Sequence, residues 1–169
     1  ISCPNVVGLT ALQDISFLGE IVDKLLELRM YYDRYKPILL KVSPDLAHQQ
    51  LDEIIDYCLR SGIDGIVAGN TTRSRDGITS LSKEKIEAIG NGGMSGAPVH
   101  KKNLELVKYV HSRSEGKLPI IGVGGIMSPE QAKAMLDAGA SLVEIYSGFI
   151  FEGPALVKNI IKYLENDAK

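Results

Sequence analysis

Residues 118–136, LPIIGVGGIMSPEQAKAML, contain the pattern that decides the fold. A short run rich in Ile and Val is followed by glycines, and then by a segment with apolar residues at helical spacing. The run does not alternate between apolar and polar residues, which is typical of a strand buried on both faces of a parallel sheet. Ser128-Pro129-Glu130-Gln131 is a helix-start signal, with an N-cap Ser, Pro at the first helical position and a capping-box Gln. The stretch therefore predicts one strand–loop–helix unit.

The same unit recurs along the chain. Apolar runs at 37–42, 65–68 and 142–145 each lead into or out of a segment with helical spacing, and one more helix is predicted before them, from about Ser16 to Tyr35. Alternation of strand and helix indicates a parallel sheet with crossover helices, an α/β fold.

Two architectures have this alternation: an open doubly wound sheet and a (β/α)8 TIM barrel. A complete barrel needs about 250 residues, whereas the chain has 169. Because the sequence opens with a loop and a helix, as though the strand before Cys3 were missing, we expect residues 1–169 to form the C-terminal half of a barrel. On this expectation the N-terminal half is absent from the sequence. The segment 72–98 is polar and Gly-rich and is predicted as a long loop, and such loops are usually functional or disordered.

The composition excludes several classes of protein. The chain is 44% hydrophobic and 24% charged, which is ordinary for one globular domain. A net charge of -2 argues against nucleic-acid binding, and no apolar run approaches the roughly 18 residues needed to span a bilayer. Two cysteines, Cys3 and Cys58, cannot form a disulfide framework or a metal cage. With no ligand spacing among the three histidines, we expect no metal site.

Candidate site residues follow the predicted strands, because the loops at the carboxyl ends of parallel strands carry the sites of such folds. Glycines let the backbone approach an anion, and the N–H groups of the next helix point at it. In barrels, the loops after strands seven and eight commonly bind phosphate. Gly124-Gly125 and Tyr146-Ser147-Gly148 fall there if the chain is a C-terminal half. The alternative is that these glycines only make tight turns.

Four further side chains have two interpretations each. Lys41 ends an apolar strand, and either reaches the rim of the sheet or stabilises negative charge on a substrate or cofactor. Asn5 and Asn70 suit a ligand with both donors and acceptors, such as a pyrimidine or a carboxylate, or simply form turns. Cys3 is either a small buried hydrophobe or an acid–base or nucleophilic group on a loop at the mouth of the site.

Six motifs occur in the order in which dihydroorotate dehydrogenases have them, and the chain resembles that family over essentially all its length. The resemblance corresponds to about the last half of a family member. Two of the motifs resemble those of the membrane-associated, quinone-reducing class 2 enzymes more than those of the soluble class 1 enzymes: Asn70-Thr71-Thr72 and Tyr146-Ser147-Gly148-Phe149-Ile150-Phe151. The other four are Ser2-Cys3-Pro4-Asn5, Lys41-Val42-Ser43-Pro44-Asp45, Gly92-Gly93-Met94-Ser95-Gly96 and the run from Pro119 to Ile126.

The resemblance implies an enzyme of pyrimidine synthesis that oxidises dihydroorotate to orotate with FMN inside a (β/α)8 barrel. It implies that Lys41 lies beside the flavin ring, and that Asn5, Asn70 and Thr71 hold the pyrimidine. Cys3 falls on the catalytic base, where class 2 enzymes normally have Ser and class 1 enzymes Cys. The remaining residues implied to contact FMN are Gly69, Gly96, Gly124, Gly125, Tyr146, Ser147 and Gly148.

Quinone is the electron acceptor that the class 2 resemblance implies, with peripheral contact to the cytoplasmic side of the inner membrane. That contact would be made through an N-terminal helical pair outside this sequence, and the half-barrel would have to pair with its other half. Three alternatives stay open: a cytoplasmic class 1 enzyme with a soluble acceptor, a non-catalytic half-barrel that binds phosphate or FMN, and another phosphate-binding barrel such as an isomerase or synthase. The last is less favoured, because such enzymes usually rely on paired acids at strand ends, which the sequence does not display.

Overall fold

The computed structural model describes residues 14–76, 78 and 81–167. No helix in these ranges combines the length and the apolar character that crossing a bilayer requires. A 3-10 turn, Ala97–Val99, leads directly into the helix His100–Arg113. In chain order the helices and strands are α1 (Ile15–Arg29), β1 (Leu39–Val42), α2 (His48–Ser61), β2 (Gly65–Ala68), α3 (Lys83–Ile89), α4 (His100–Arg113), β3 (Ile120–Val123), α5 (Pro129–Asp137), β4 (Leu142–Glu144), α6 (Ser147–Glu152) and α7 (Ala155–Asp167).

The four strands form one parallel sheet in the order β1-β2-β3-β4. In the register, Lys41 pairs with Val67, Val67 with Ile121, and Ile121 with Leu142, so these four side chains form one row on the same face. The parallel α/β fold predicted from the sequence is confirmed. Its assignment to half of a barrel stays a prediction.

The core lies between one face of the sheet and the helices. Leu40, Val42, Ile66, Ala68 and Ile120 point to that side and are buried together with apolar side chains from the helices. Each fully buried Leu, Ile or Val side chain contributes roughly 1.5–3 kcal/mol.

The opposite face of the sheet is less covered by the described residues. Leu39 of β1 is 41% exposed, and Leu142 of β4 is 62% exposed. Burial on both faces, which the apolar runs predict, is therefore found in β2 but not in the two outer strands.

The first helix is shorter than the sequence predicts, since α1 ends at Arg29 and not near Tyr35. The cause is the carboxylate of Asp64, which accepts hydrogen bonds from the Arg29 guanidinium at 2.8 Å, from the Tyr35 hydroxyl and from the Ile38 N–H at 2.6 Å. These bonds turn the chain toward β1, so the helix cannot continue.

The segment 72–98, predicted as one long loop, contains the helix α3 and the start of the 3-10 turn. The prediction was wrong on this point because capping, and not an apolar stripe, defines α3. The Ser82 side chain accepts a hydrogen bond from the Lys85 N–H, and Gly90 ends the helix. Thr72 and Met94 pair as an antiparallel bridge, which closes the segment at its base.

Candidate active site

A cavity of about 360 Å³ opens at the carboxyl ends of the strands. It brings together residues that the sequence places far apart, since its walls come from β1, from the loops after β2, β3 and β4, and from the segment that leads into α4. The sequence-predicted residues that line it are Lys41, Asn70, Thr71, Gly96, Gly124, Gly125, Tyr146 and Ser147. Cys3 and Asn5 lie outside the described residues.

Lys41 forms an ion pair across the cavity with Glu144, with Nζ and Oε2 4.0 Å apart. The two residues belong to the outer strands β1 and β4, whose backbones would lie about 14 Å apart in a flat sheet with strands about 4.8 Å apart. The register puts both side chains on the same face of the sheet, and they extend toward each other over the two inner strands. Of the two interpretations of Lys41, the geometry favours a cation in the wall of the cavity.

The loop after β2 presents Asn70 and Thr71 to the cavity. The Asn70 side-chain oxygen accepts a hydrogen bond from the Thr71 N–H at 2.8 Å, which orients the amide. The backbone of Asn70 is bound in turn by the side chain of Asn103 on α4.

The loop after β3 packs closely against the start of α4. Gly125 has a φ of +72°, and a Cβ at this position would lie 2.5 Å from the backbone nitrogen of His100 and 2.8 Å from the carbonyl oxygen of Gly96. Gly124 also has a positive φ, and a Cβ there would lie 2.2 Å from the side-chain nitrogen of Asn103. The turn conformation and the packing are thus sufficient reasons for glycine at both positions.

The same loop also offers unused backbone donors. Among the described residues, no backbone carbonyl accepts a hydrogen bond from the N–H of Gly124 or Gly125. Across the cavity, Ser147 begins α6, and the first N–H groups of a helix have no partner within it. Backbone donors from the loops after β3 and β4 therefore border the same space.

Two predicted cofactor residues do not line the cavity. A Cβ on Gly69 would lie 2.0 Å from the carbonyl oxygen of Val123, and a Cβ on Gly148 would lie 2.1 Å from that of Ile126. Both glycines are needed for close contact between backbones just beneath the cavity, and their contact with FMN stays a prediction.

Asp45 connects the loops after β1 and β2 beside the cavity. Its carboxylate accepts hydrogen bonds from the Lys102 ammonium, from the Thr72 hydroxyl and, at 2.8 Å, from the Arg73 N–H. Partial burial alone would raise the pKa of this carboxyl, but the hydrogen bonds from Lys102 and Thr72 outweigh it, and the pKa is lowered. The carboxylate thus stays charged and holds both loops at neutral pH.

Two residues of this region were missed by the sequence reasoning, although each left a signal. Glu144 ends an apolar strand with a charge, as Lys41 does. Asn103 occupies an apolar position of α4, at helical spacing from Leu106, Val107 and Val110, and is as fully buried as Val107. Within the described ranges, no group of three or more His, Cys, Asp or Glu side chains is arranged to hold a metal ion.

Comparison with known proteins identifies the family. The family model described as dihydroorotate dehydrogenase matches residues 1–167. The chain belongs to the dihydroorotate dehydrogenase family. The protein named dihydroorotate dehydrogenase (quinone) of Edwardsiella ictaluri is 43% identical over 172 residues, covering 97% of this chain and 49% of the relative. The protein of that name from Christiangramia forsetii is 44% identical over 160 residues, covering 95% and 46%.

Solved structures agree with this assignment. The ligand-free type DHODH from Eimeria tenella superposes with a TM-score of 0.88 at 28% identity, covering 98% of this chain and 49% of the other. The ferulenol complex of the Eimeria tenella DHODH gives a TM-score of 0.88 at 27% identity. The resemblance stated from the motifs, including that to the quinone-type enzymes, is therefore confirmed. The chain spans about half the length of the curated relatives it matches.

Proposed function

We propose that this chain supplies the FMN- and substrate-binding half of a quinone-linked dihydroorotate dehydrogenase, which oxidises dihydroorotate to orotate. One observation carries the proposal. In a chain of this family, Lys41, Asn70, Thr71 and the Gly124–Gly125 loop surround a single cavity at the carboxyl edge of the sheet. Parallel βα folds place their sites at that edge.

The half-barrel part of the proposal rests on uncovered apolar surface at both ends of the sheet. Strands β1 and β4 each have one neighbour among the described strands, and bare strand edges favour aggregation. Beside β1, α1 exposes a helical stripe of Phe17, Ile21, Leu25 and Leu28. Beside β4, Leu142 and Ile161 border an open apolar groove of about 370 Å³. The remaining half of the relatives' length would cover these surfaces and close the barrel.

The residues at the cavity suit FMN. Gly124 and Gly125 carry no side chain, and among the described residues no backbone carbonyl accepts a hydrogen bond from their N–H groups, so these donors can approach a phosphate. The N–H groups of this loop and of Ser147 would hold the phosphate, and Lys41 would lie beside the ring, with Gly96 and Tyr146 completing the wall. When bound, FMN supplies an acceptor for a hydride from the substrate.

The chain's own groups would then divide the remaining tasks. Asn70 and Thr71 bind the pyrimidine through amide and hydroxyl groups, which can both donate and accept hydrogen bonds. Cys3 removes the proton that leaves the adjacent carbon, and a thiol with an ordinary pKa near 8.5 is a better base than an alcohol. The positive charge of Lys41 stabilises negative charge that develops beside it.

Quinone is the proposed electron acceptor, since the relatives carry that name. We propose that peripheral contact with the inner membrane, on its cytoplasmic side, is made by the part of the relatives' length that this chain does not span. A soluble acceptor, as in class 1, is the competing proposal, and it is the presence of Cys at position 3 that favours it.

The test uses the full-length enzyme, meaning this chain together with the remaining half of the relatives' length. We expect a yellow protein whose absorbance near that of oxidised flavin is bleached by dihydroorotate without oxygen, and faster turnover with a quinone than with fumarate. Lys41→Ala should abolish bleaching, whereas Lys108→Ala, on the exposed face of α4 beside Glu105, should not. A colourless protein, or one that binds FMN without bleaching, would refute the reaction and favour a non-catalytic binding role.

Cys3→Ser tests the base separately. We expect a large fall in the rate of bleaching and a shift of its pH dependence toward high pH, because the alcohol loses its proton less readily. An unchanged pH profile would show that Cys3 is not the base and would leave the rest of the proposal standing.

A further inference from the structure

Asn103 is a polar residue in the middle of the apolar core. It is the fourth residue of α4, its exposed fraction is 0%, and the other buried residues of that helix are Leu106, Val107 and Val110. A buried amide without hydrogen bonds is strongly destabilising, so Asn103 must have hydrogen-bond partners within the protein.

Those partners are the two backbone groups of one residue. The side-chain oxygen of Asn103 accepts a hydrogen bond from the Asn70 N–H at 3.2 Å, and its side-chain nitrogen donates one to the Asn70 carbonyl at 3.1 Å. The Asn103 side chain thus makes both of the backbone hydrogen bonds that a neighbouring strand would make to a strand residue. β2 ends at Ala68, so Asn103 extends the ordered backbone two residues past the strand, to where the loop enters the cavity.

The Asn103 amide packs closely against two glycines of the neighbouring loops. A Cβ on Gly124 would lie 2.2 Å from the side-chain nitrogen of Asn103, and one on Gly69 would lie 2.9 Å from its side-chain oxygen. The amide therefore fills the space between the loop after β2 and the loop after β3. It couples the proposed pyrimidine-binding residues to the proposed phosphate-binding loop.

We propose that Asn103 is a positioning residue for substrate: by holding the Asn70 backbone through both of its polar groups, it fixes the Asn70 and Thr71 side chains in the geometry that binds the pyrimidine. The proposal rests on the proposed function of this cavity. Asn103 does not line the cavity, so it acts through Asn70 and not by contact with substrate.

The test is the affinity of the FMN-reconstituted full-length enzyme for orotate, measured by calorimetry. Asn103→Leu keeps the volume of the side chain and removes both hydrogen bonds. Without these two bonds the Asn70 backbone is no longer held in place, so we expect orotate binding to weaken about tenfold or more and KM for dihydroorotate to rise, with a smaller effect on kcat. Val107→Ala is the matched control, because it removes buried atoms from the same helix without touching Asn70, and its orotate affinity should stay within about twofold of wild type.

The possible results distinguish a positioning role for Asn103 from a role in stability alone, and both from a failure of the proposed function. If the Asn103 variant binds orotate as tightly as wild type, or if Val107→Ala weakens binding equally at the same loss of melting temperature, the positioning role is refuted and Asn103 serves stability alone. If Asn103→Leu does not fold, Asn103→Ser decides by the same criteria, since its short hydroxyl cannot reach both backbone groups. A wild-type enzyme that binds no orotate refutes the proposed function before any variant is made.

Discussion

Replacing Gly125 by Ala should lower the stability of the protein and distort the proposed phosphate-binding loop. Gly125 has a φ of +72°, and the new Cβ would lie 2.5 Å from the His100 nitrogen and 2.8 Å from the Gly96 oxygen. Both neighbours are backbone atoms, so neither can rotate away. The left-handed conformation costs about 1–2 kcal/mol with a side chain, and overpacking adds roughly 1–3 kcal/mol. We expect the free energy of unfolding to fall by roughly 2–5 kcal/mol in total.

Gly62→Ala separates the two contributions. Gly62 caps α2 with a φ of +79°, but a Cβ there would have nothing within 4 Å. This variant should lose only the conformational part, about 1–2 kcal/mol, and should keep its FMN. The assay is urea unfolding of the full-length enzyme together with the FMN content per chain. Equal losses of stability for the two variants, or full FMN content in Gly125→Ala, would refute the account of the loop given above.

Three further predictions concern charged and reactive groups. The pKa of Asp45 is lowered in the folded state, so its contribution to stability is present above the unfolded value of about 3.9 and is lost as pH falls through the folded value. Asp45→Asn should cost about 1–3 kcal/mol at pH 7 and less at pH 3 in urea unfolding. An equal cost at both pH values would contradict this. Glu144→Gln removes a negative charge 4.0 Å from the Lys41 ammonium, so bound flavin should become easier to reduce. A potentiometric dye titration would detect this as a higher midpoint potential, and an unchanged or lower potential would contradict the prediction. Burial raises the pKa of the Cys58 thiol to about 12, so iodoacetamide should alkylate this residue only after unfolding. Peptide mass spectrometry measures the labelling, and rapid labelling of the native protein would contradict the prediction.

The sequence predicts the sheet well because its signals are local. Each buried strand is an apolar run bounded by glycine or polar residues. The helix start at Ser128 is confirmed, since its side chain accepts a hydrogen bond from the Gln131 N–H. The Gln131 side chain, predicted to complete a capping box, accepts instead from the Met127 N–H, one residue before the N-cap. The residues that line the cavity follow from the same regularity, since the carboxyl ends of parallel strands meet at one edge. Among the described residues, most of those that line the cavity could therefore be predicted from their position at the end of a strand.

The errors have long-range or capping causes. The end of α1 is set by Asp64, which lies 35 positions after Arg29 and is recruited only in the folded chain. Helix α3 has no buried residue in the described structure, so no apolar stripe marks it in the sequence. Asn103 lies in an apolar position where the pattern predicts only core, and its pairing with Asn70 depends on how α4 crosses the sheet.

The ion pair between Lys41 and Glu144 constrains what can cover the open face of the sheet. The side chains in the same row as Lys41 are Val67, Ile121 and Leu142, which are all apolar. If a purely apolar layer closed over this face, both charges would be desolvated with one long contact of 4.0 Å to compensate them, and the penalty for burying two such charges is several kcal/mol each. A cover that brings hydrogen-bond acceptors to the ammonium removes most of that penalty. We infer that the group above Lys41 is polar on the side that faces it, which a flavin ring satisfies and an apolar half-barrel alone would not.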